Sequence, residues 1–190
     1  MKLERILPFA RTILQKAISE GNVAVDATMG NGHDTHFLAE LVGESGHVFA
    51  YDIQQEAITN TTIRLQEHHV LERTTLLHES HAKVAETIPA HLHGNITAAI
   101  FNLGYLPGGD KHITTAANST IEAIEKLLEI MAFEGIIVLV IYHGHPEGQV
   151  ERDELLHYVQ AIPQEKAHIL QYQFINQVNN PPFIVAIEKR

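Results

Sequence analysis

The chain has 190 residues, 45% of them hydrophobic, with a formal net charge of −10 and 14 histidines. That length fits one domain over residues 1–190 with a core of its own, and the acidic balance argues against a general nucleic-acid binder, which needs clustered Lys and Arg. No cysteine occurs, which excludes disulfides and thiolate chemistry and suits a reducing cytoplasm; nowhere do about 18 apolar residues run uninterrupted, so no membrane span is expected.

In chain order, Pro8 opens a helical pattern over 8–19, with Ile13, Leu14, Ala17 and Ile18 on one stripe and Gly21 beyond its end. Apolar runs bounded by turn residues predict strands over 23–28 (VAVDAT), 47–53 (HVFAYDI), 74–80 (TTLLHES), 96–103 (ITAAIFNL) and 135–143 (GIIVLVIYH). Helices are predicted between them over 34–42, 54–69 and 118–132, with one more near 147–161. The last two strands, 167–175 and 183–189, are joined by a turn at NNPP without a helix, so they should pair antiparallel. Runs such as IIVLVI, apolar at every position, belong to strands covered on both faces. The expected fold is α/β: a seven-stranded, mostly parallel sheet ending in an antiparallel hairpin, with helices on both faces.

The first predicted strand runs into DATMGNGHDTHFLAE (26–40), an acid and two glycines directly before a helix. In open α/β sheets this first strand-to-helix turn is the commonest ligand site. Gly30 and Gly32 let the backbone approach a ligand and adopt positive φ, although a tight turn alone also asks for glycine. The second strand ends at Asp52, about twenty residues on, where an acid can accept hydrogen bonds from both hydroxyls of a ribose, or simply cap the next helix. A pyrophosphate would be repelled by Asp34 at the helix start. Asp26 and Asp34 instead favour a ligand bearing an ammonium and a sulfonium, which describes S-adenosyl-L-methionine.

DATMGNG resembles the first motif of Rossmann-like class I methyltransferases, with Thr28 where the first glycine usually stands. NLGYLPGGDK (102–111) is similar in place and character to the Asn-Pro-Pro-Tyr loop of amino-group methyltransferases, with Leu103 and Gly104 in place of the prolines. With AYDIQ, HESH (78–81) and YHGH (142–145), the whole chain resembles the YtqB/MnmM group, once described as rRNA methylases. The resemblance implies N-methylation of the 5-aminomethyl group on the wobble uridine (U34) of tRNA. It also implies a cofactor site drawn from Asp26, Thr28, Gly30, Asn31, Gly32, Asp34, Thr35, Asp52, Ile53, Gln54, Ser80, His81, Asn102 and Gly104. Asn102 and Tyr105 would serve the acceptor nitrogen and its ring, and Lys111, His143 and His145 the substrate.

A methyltransferase acting on rRNA or on a small amine remains open from the sequence, as does a noncatalytic nucleotide- or RNA-binding domain. An anticodon loop is single-stranded and asks for few cations, for which Lys2, Arg5, Arg11, Lys16, Lys111 and Arg152 are candidates. His33 with His36, His78 with His81 and His143 with His145 have ligand-like spacing, but they sit at different strand ends, so no metal site is expected. The oligomeric state is left open, with a homodimer as one expectation.

Overall fold

A computed structural model describes residues 2–104, 115–144 and 146–190; Tyr105, Lys111 and His145 lie outside the described residues. Seven strands form one sheet: β1 (Val23–Asp26), β2 (His47–Asp52), β3 (Thr74–His78), β4 (Ile96–Leu103), β5 (Met131–Ile141), β6 (Ala167–Tyr172) and β7 (Phe183–Lys189). Their order is β3-β2-β1-β4-β5-β7-β6. The first five are mutually parallel, and β7 is antiparallel to both β5 and β6.

The helices are α1 (Ile6–Ala17), α2 (His33–Val42), α3 (Gln55–Glu67), α4 (Val84–Thr87), α5 (Ala117–Ile130) and α6 (Pro146–Ala161). Strand periodicity sorts the core into two layers. Val25, Phe101, Leu139 and Val185 point to the face covered by α4, α5 and α6, where they meet Val84, Leu127 and Leu155. Their neighbours Ala24, Ile100, Val138 and Ile184 point to the other face, against Leu14 of α1, Leu38 of α2 and Leu65 of α3. Burying a large apolar side chain at one of these positions contributes about 1.5–3 kcal/mol, so a polar replacement there would be buried without a partner.

Several boundaries differ from the sequence-based expectation, each for a local reason. The first helix begins at Ile6, and Pro8 sits within its first turn, where a missing N–H breaks no bond. The first strand stops at Asp26 rather than residue 28, because the Asp26 carboxylate accepts the Thr28 N–H at 3.1 Å and turns the chain. The third stops at His78, and Ser80 then caps a short 3-10 turn through the Ala82 N–H at 3.3 Å. The fifth strand begins at Met131, not 135, directly behind α5. Met131 pairs with Ile96, the register then shifts, and Glu134 takes φ 62°, so the strand starts before a bulge that the sequence-based boundaries, 132 and 135, leave between helix and strand. The sixth ends at Tyr172, three residues early, and the single turn α4 is too short to leave a periodic signal.

Candidate active site

The strand order reverses between β1 and β4, and in open α/β sheets the crevice beyond the carboxyl ends of such a pair receives ligands. Asp26 ends β1 and is completely buried. Its Oδ1 accepts the Thr28 N–H, and its Oδ2 accepts the Thr35 hydroxyl at 2.6 Å. Burial first, and the nearby Asp34 charge second, push its pKa up to about 7, against the pull of those two hydrogen bonds. A buried carboxylate that resists ionisation in this way is relieved by a cation placed near it.

The glycine turn is held from behind. Gly30 and Gly32 take φ 51° and 75°. A Cβ on Gly32 would sit 2.9 Å from the Thr61 hydroxyl, so the close approach of α3 demands that glycine whatever the ligand. Thr61 Oγ1 donates to Gly30 O at 3.1 Å, Arg64 Nε to Asn31 O at 2.7 Å, and Asn60 Nδ2 to Asn31 Oδ1 at 3.0 Å. None of these three side chains stands out in the sequence, since each lies within an ordinary amphipathic helix.

Asp52 ends β2 and joins the turn to the next helix: Oδ2 accepts the Gly30 N–H and Oδ1 the Gln54 N–H, both at 3.0 Å. A carboxylate has about four acceptor positions, so two remain for hydroxyls. Beside it Ile53 leaves 57% of its surface uncovered, while its carbonyl accepts from His78 Nε2 at 2.9 Å. His81 donates from Nδ1 to Ala27 O at 2.9 Å, which leaves Nε2 without a proton. That nitrogen is buried and finds no hydrogen-bond partner among the described residues, and burial holds the ring's pKa below its ordinary value.

On the other side of the switch point, Asn102 of β4 is fixed twice. Its N–H donates to Thr28 Oγ1 at 2.7 Å, and Nδ2 donates to Asp34 Oδ2 at 2.6 Å. Asp34 also lies 3.6 Å from Arg11 of α1. Gly104 accepts the Thr115 N–H at 3.1 Å, and Thr115 in turn donates its hydroxyl to the buried Glu151 at 2.7 Å, so α6 braces the chain that returns toward α5. Tyr142 packs near Gly104; its pKa is raised by burial and then by the Asp34 charge, which places its ring at the same rim.

His143 is only 6% exposed, and both its ring nitrogens are engaged: Nε2 donates to Pro181 O at 3.0 Å, and Nδ1 accepts from Arg152 at 3.1 Å. It joins the end of β5 to the segment before β7. The structure therefore gathers Asp26, Thr28, Gly30, Asn31, Gly32, Asp34, Thr35, Asp52, Gln54 and Asn102 into one hydrogen-bonded rim, with Ile53, Ser80, His81 and Gly104 on its flanks. Among the described residues no group of three or more His, Asp or Glu is placed to hold a metal ion, and no helix is long and apolar enough to cross a membrane.

A 3-2-1-4-5-7-6 sheet with its last strand pair antiparallel is the Rossmann-like fold of class I methyltransferases. The family profile described as "Putative rRNA methylase" matches residues 48–188, and the chain belongs to that family. A chloroplastic tRNA (mnm(5)s(2)U34)-methyltransferase of Arabidopsis thaliana is 31% identical over 188 residues, covering 95% of this chain and 68% of the plant protein. A protein of Clostridium thermocellum described as a "putative rRNA-methylase" superimposes with a TM-score of 0.96 at 40% identity over 100% of both chains. A "putative methyltransferase" of Streptococcus mutans, solved in complex with SAH, does so with a TM-score of 0.88 at 33% identity over 99% of both.

Proposed function

We propose that this S-adenosylmethionine-dependent methyltransferase acts on the amino nitrogen of a 5-aminomethyl group at the wobble uridine of tRNA. The observation that carries the amine reading is the Asn102 side chain: its Nδ2 is committed to Asp34, so Oδ1 is the amide atom left to accept an acceptor N–H. The plant relative's described activity supports uridine 34 as the acceptor. The single-stranded anticodon loop is consistent with an acidic protein, since a wobble base needs no extrusion from a duplex.

The residues present fit the cofactor. Asp52 has acceptor positions for ribose hydroxyls, and Ile53 an uncovered apolar face for the adenine. The turn of Gly30 to Gly32 would receive the methionine portion, and Asp26 would supply negative charge near it. When bound, S-adenosylmethionine supplies an electrophilic methyl group on a sulfonium.

The chain's task is then alignment and exclusion of water. A free alkylamine is protonated below about pH 10, and a protonated nitrogen has no lone pair to attack with. Desolvation at the half-buried rim favours the neutral amine. Asn102 Oδ1 receives one of its hydrogens, and the lone pair is thereby turned away from Asn102. Tyr105 is proposed to stack on the uracil and Lys111 and His145 to meet the RNA. His143, closed on both nitrogens, sets the position of the β5 end from within.

The reading is tested by incubating the protein with methyl-labelled S-adenosylmethionine and bulk tRNA from a strain lacking the gene, then analysing nucleosides. Label in the wobble nucleoside is expected. Label only in rRNA or in a small amine, or none in any acceptor, overturns it.

A further inference from the structure

We propose that Asp34 and Arg11 are positioning residues for the acceptor: Asp34 dictates which end of the Asn102 amide faces the reacting nitrogen, and Arg11 holds Asp34 in place. The inference rests on the role given to Asn102 above and goes beyond it, because the sequence alone directs Asp34 at the cofactor's ammonium.

An ionised carboxylate only accepts hydrogen bonds. With Asp34 Oδ2 at 2.6 Å, the amide must turn its NH2 toward Asp34; the opposite orientation would set oxygen against oxygen. The bond is short and charge-assisted. The backbone of Asn102 is fixed separately through Thr28, so the freedom left at this residue is rotation of the amide, and Asp34 removes it. A flipped amide would aim N–H at the lone pair needed for attack.

Arg11 approaches from α1, 3.6 Å from the second oxygen of Asp34, with its guanidinium 4.9 Å over the Phe37 ring of α2. The cation is thus seated on the helix that carries Asp34. Both positions lie outside the residues 48–188 matched by the family profile. They connect the N-terminal helix to the reacting centre through two contacts.

The test compares Asp34→Ala, Asp34→Asn, Arg11→Ala, Arg11→Lys and Asn102→Ala in the full chain. Two quantities are read: SAH affinity by calorimetry, and the single-turnover methylation rate of hypomodified tRNA at saturating cofactor. Asp34→Ala is expected to slow transfer roughly 30-fold while SAH affinity stays within about threefold. Asp34→Asn, whose amide oxygen still accepts from Asn102, restores most of the rate. Arg11→Ala slows transfer about threefold in the parent but not in Asp34→Ala, as coupled residues require, and Arg11→Lys recovers the loss. Should Asp34→Ala fail to fold, the Arg11 pair decides: a loss confined to SAH affinity overturns the proposal. It is also overturned if excess cofactor repairs Asp34→Ala, or if Asp34→Asn is as slow as Asp34→Ala. Normal transfer by Asn102→Ala sinks both the acceptor role and this inference, whereas a slow Asn102→Ala beside a normal Asp34→Ala sinks the inference alone.

Discussion

At the amino edge of the sheet, polar groups are closed by neighbours at little cost, while at the carboxyl edge burial holds ionisable groups in unfavourable surroundings. Asn22, just before β1, accepts the Ser19 N–H at 2.7 Å and the Thr97 hydroxyl at 3.3 Å, and the Gly21 N–H reaches Val42 O at 2.8 Å. A Cβ on Gly46 would run into Val42 O and come within 2.6 Å of Asn22 O. Across the same strands, Asp26 keeps a carboxyl group whose pKa burial drives to about 7, and His81 keeps a buried nitrogen with no partner among the described residues. The difference teaches where the molecule holds its stability and where it holds its chemistry: a buried carboxyl group is unfavourable in its charged form until an opposite charge meets it.

That contrast can be broken or sharpened by substitution. The largest effect is expected from Asn102→Ala, which should slow methyl transfer about 1,000-fold while leaving SAH affinity within about threefold; equal loss of both would assign Asn102 to the donor side. Gly46→Ala strikes the closed edge instead and should lower unfolding free energy by about 3 kcal/mol in urea titrations, with unchanged turnover per folded molecule. Asp52→Ala should weaken SAH binding roughly 30-fold through lost charge-assisted hydrogen bonds, with a smaller effect on transfer at saturating cofactor.

Asp26→Asn should give the smallest effect and the most telling one. Its folded pKa stands above the ordinary 3.8. The stability this proton contributes is therefore complete below the unfolded value and is lost as pH rises toward about 7. At about pH 8 the ligand-free Asn variant, which keeps acceptor and donor for Thr28 and Thr35, should be more stable than the parent by about 2 kcal/mol, and the gap should close as the pH falls toward about 4. The same variant should bind S-adenosylmethionine about tenfold more weakly. A parent that is no less stable at the higher pH would show that Asp26 ionises freely.

Much of this was legible in the sequence because the signals are local. IIVLVI reports burial on both faces, and residues 137–141 are indeed covered by helices on either side. The acid-glycine turn and the acid twenty residues later sit at adjacent strand ends, as parallel pairing of β1 and β2 requires. What the sequence cannot express is which way a polar group faces. Asp26 reads as an acid at a ligand's edge, yet both its oxygens serve its own turn. His143 has the spacing of a ligand and the bonding of a structural joint. The path from Arg11 through Asp34 to Asn102 was invisible because its second link spans 68 positions of chain, and the bulge at Glu134 because a register shift between strands leaves no local pattern.

Thr28 occupies the place where class I methyltransferases usually carry glycine, and it is the residue whose hydroxyl receives the Asn102 N–H while its own N–H is held by Asp26. Restoring the common residue would look, to an engineer guided by motifs, like a repair. It would instead remove the hydroxyl that stitches the donor turn to the acceptor strand, leaving the backbone ladder between β1 and β4 to hold the two in step alone.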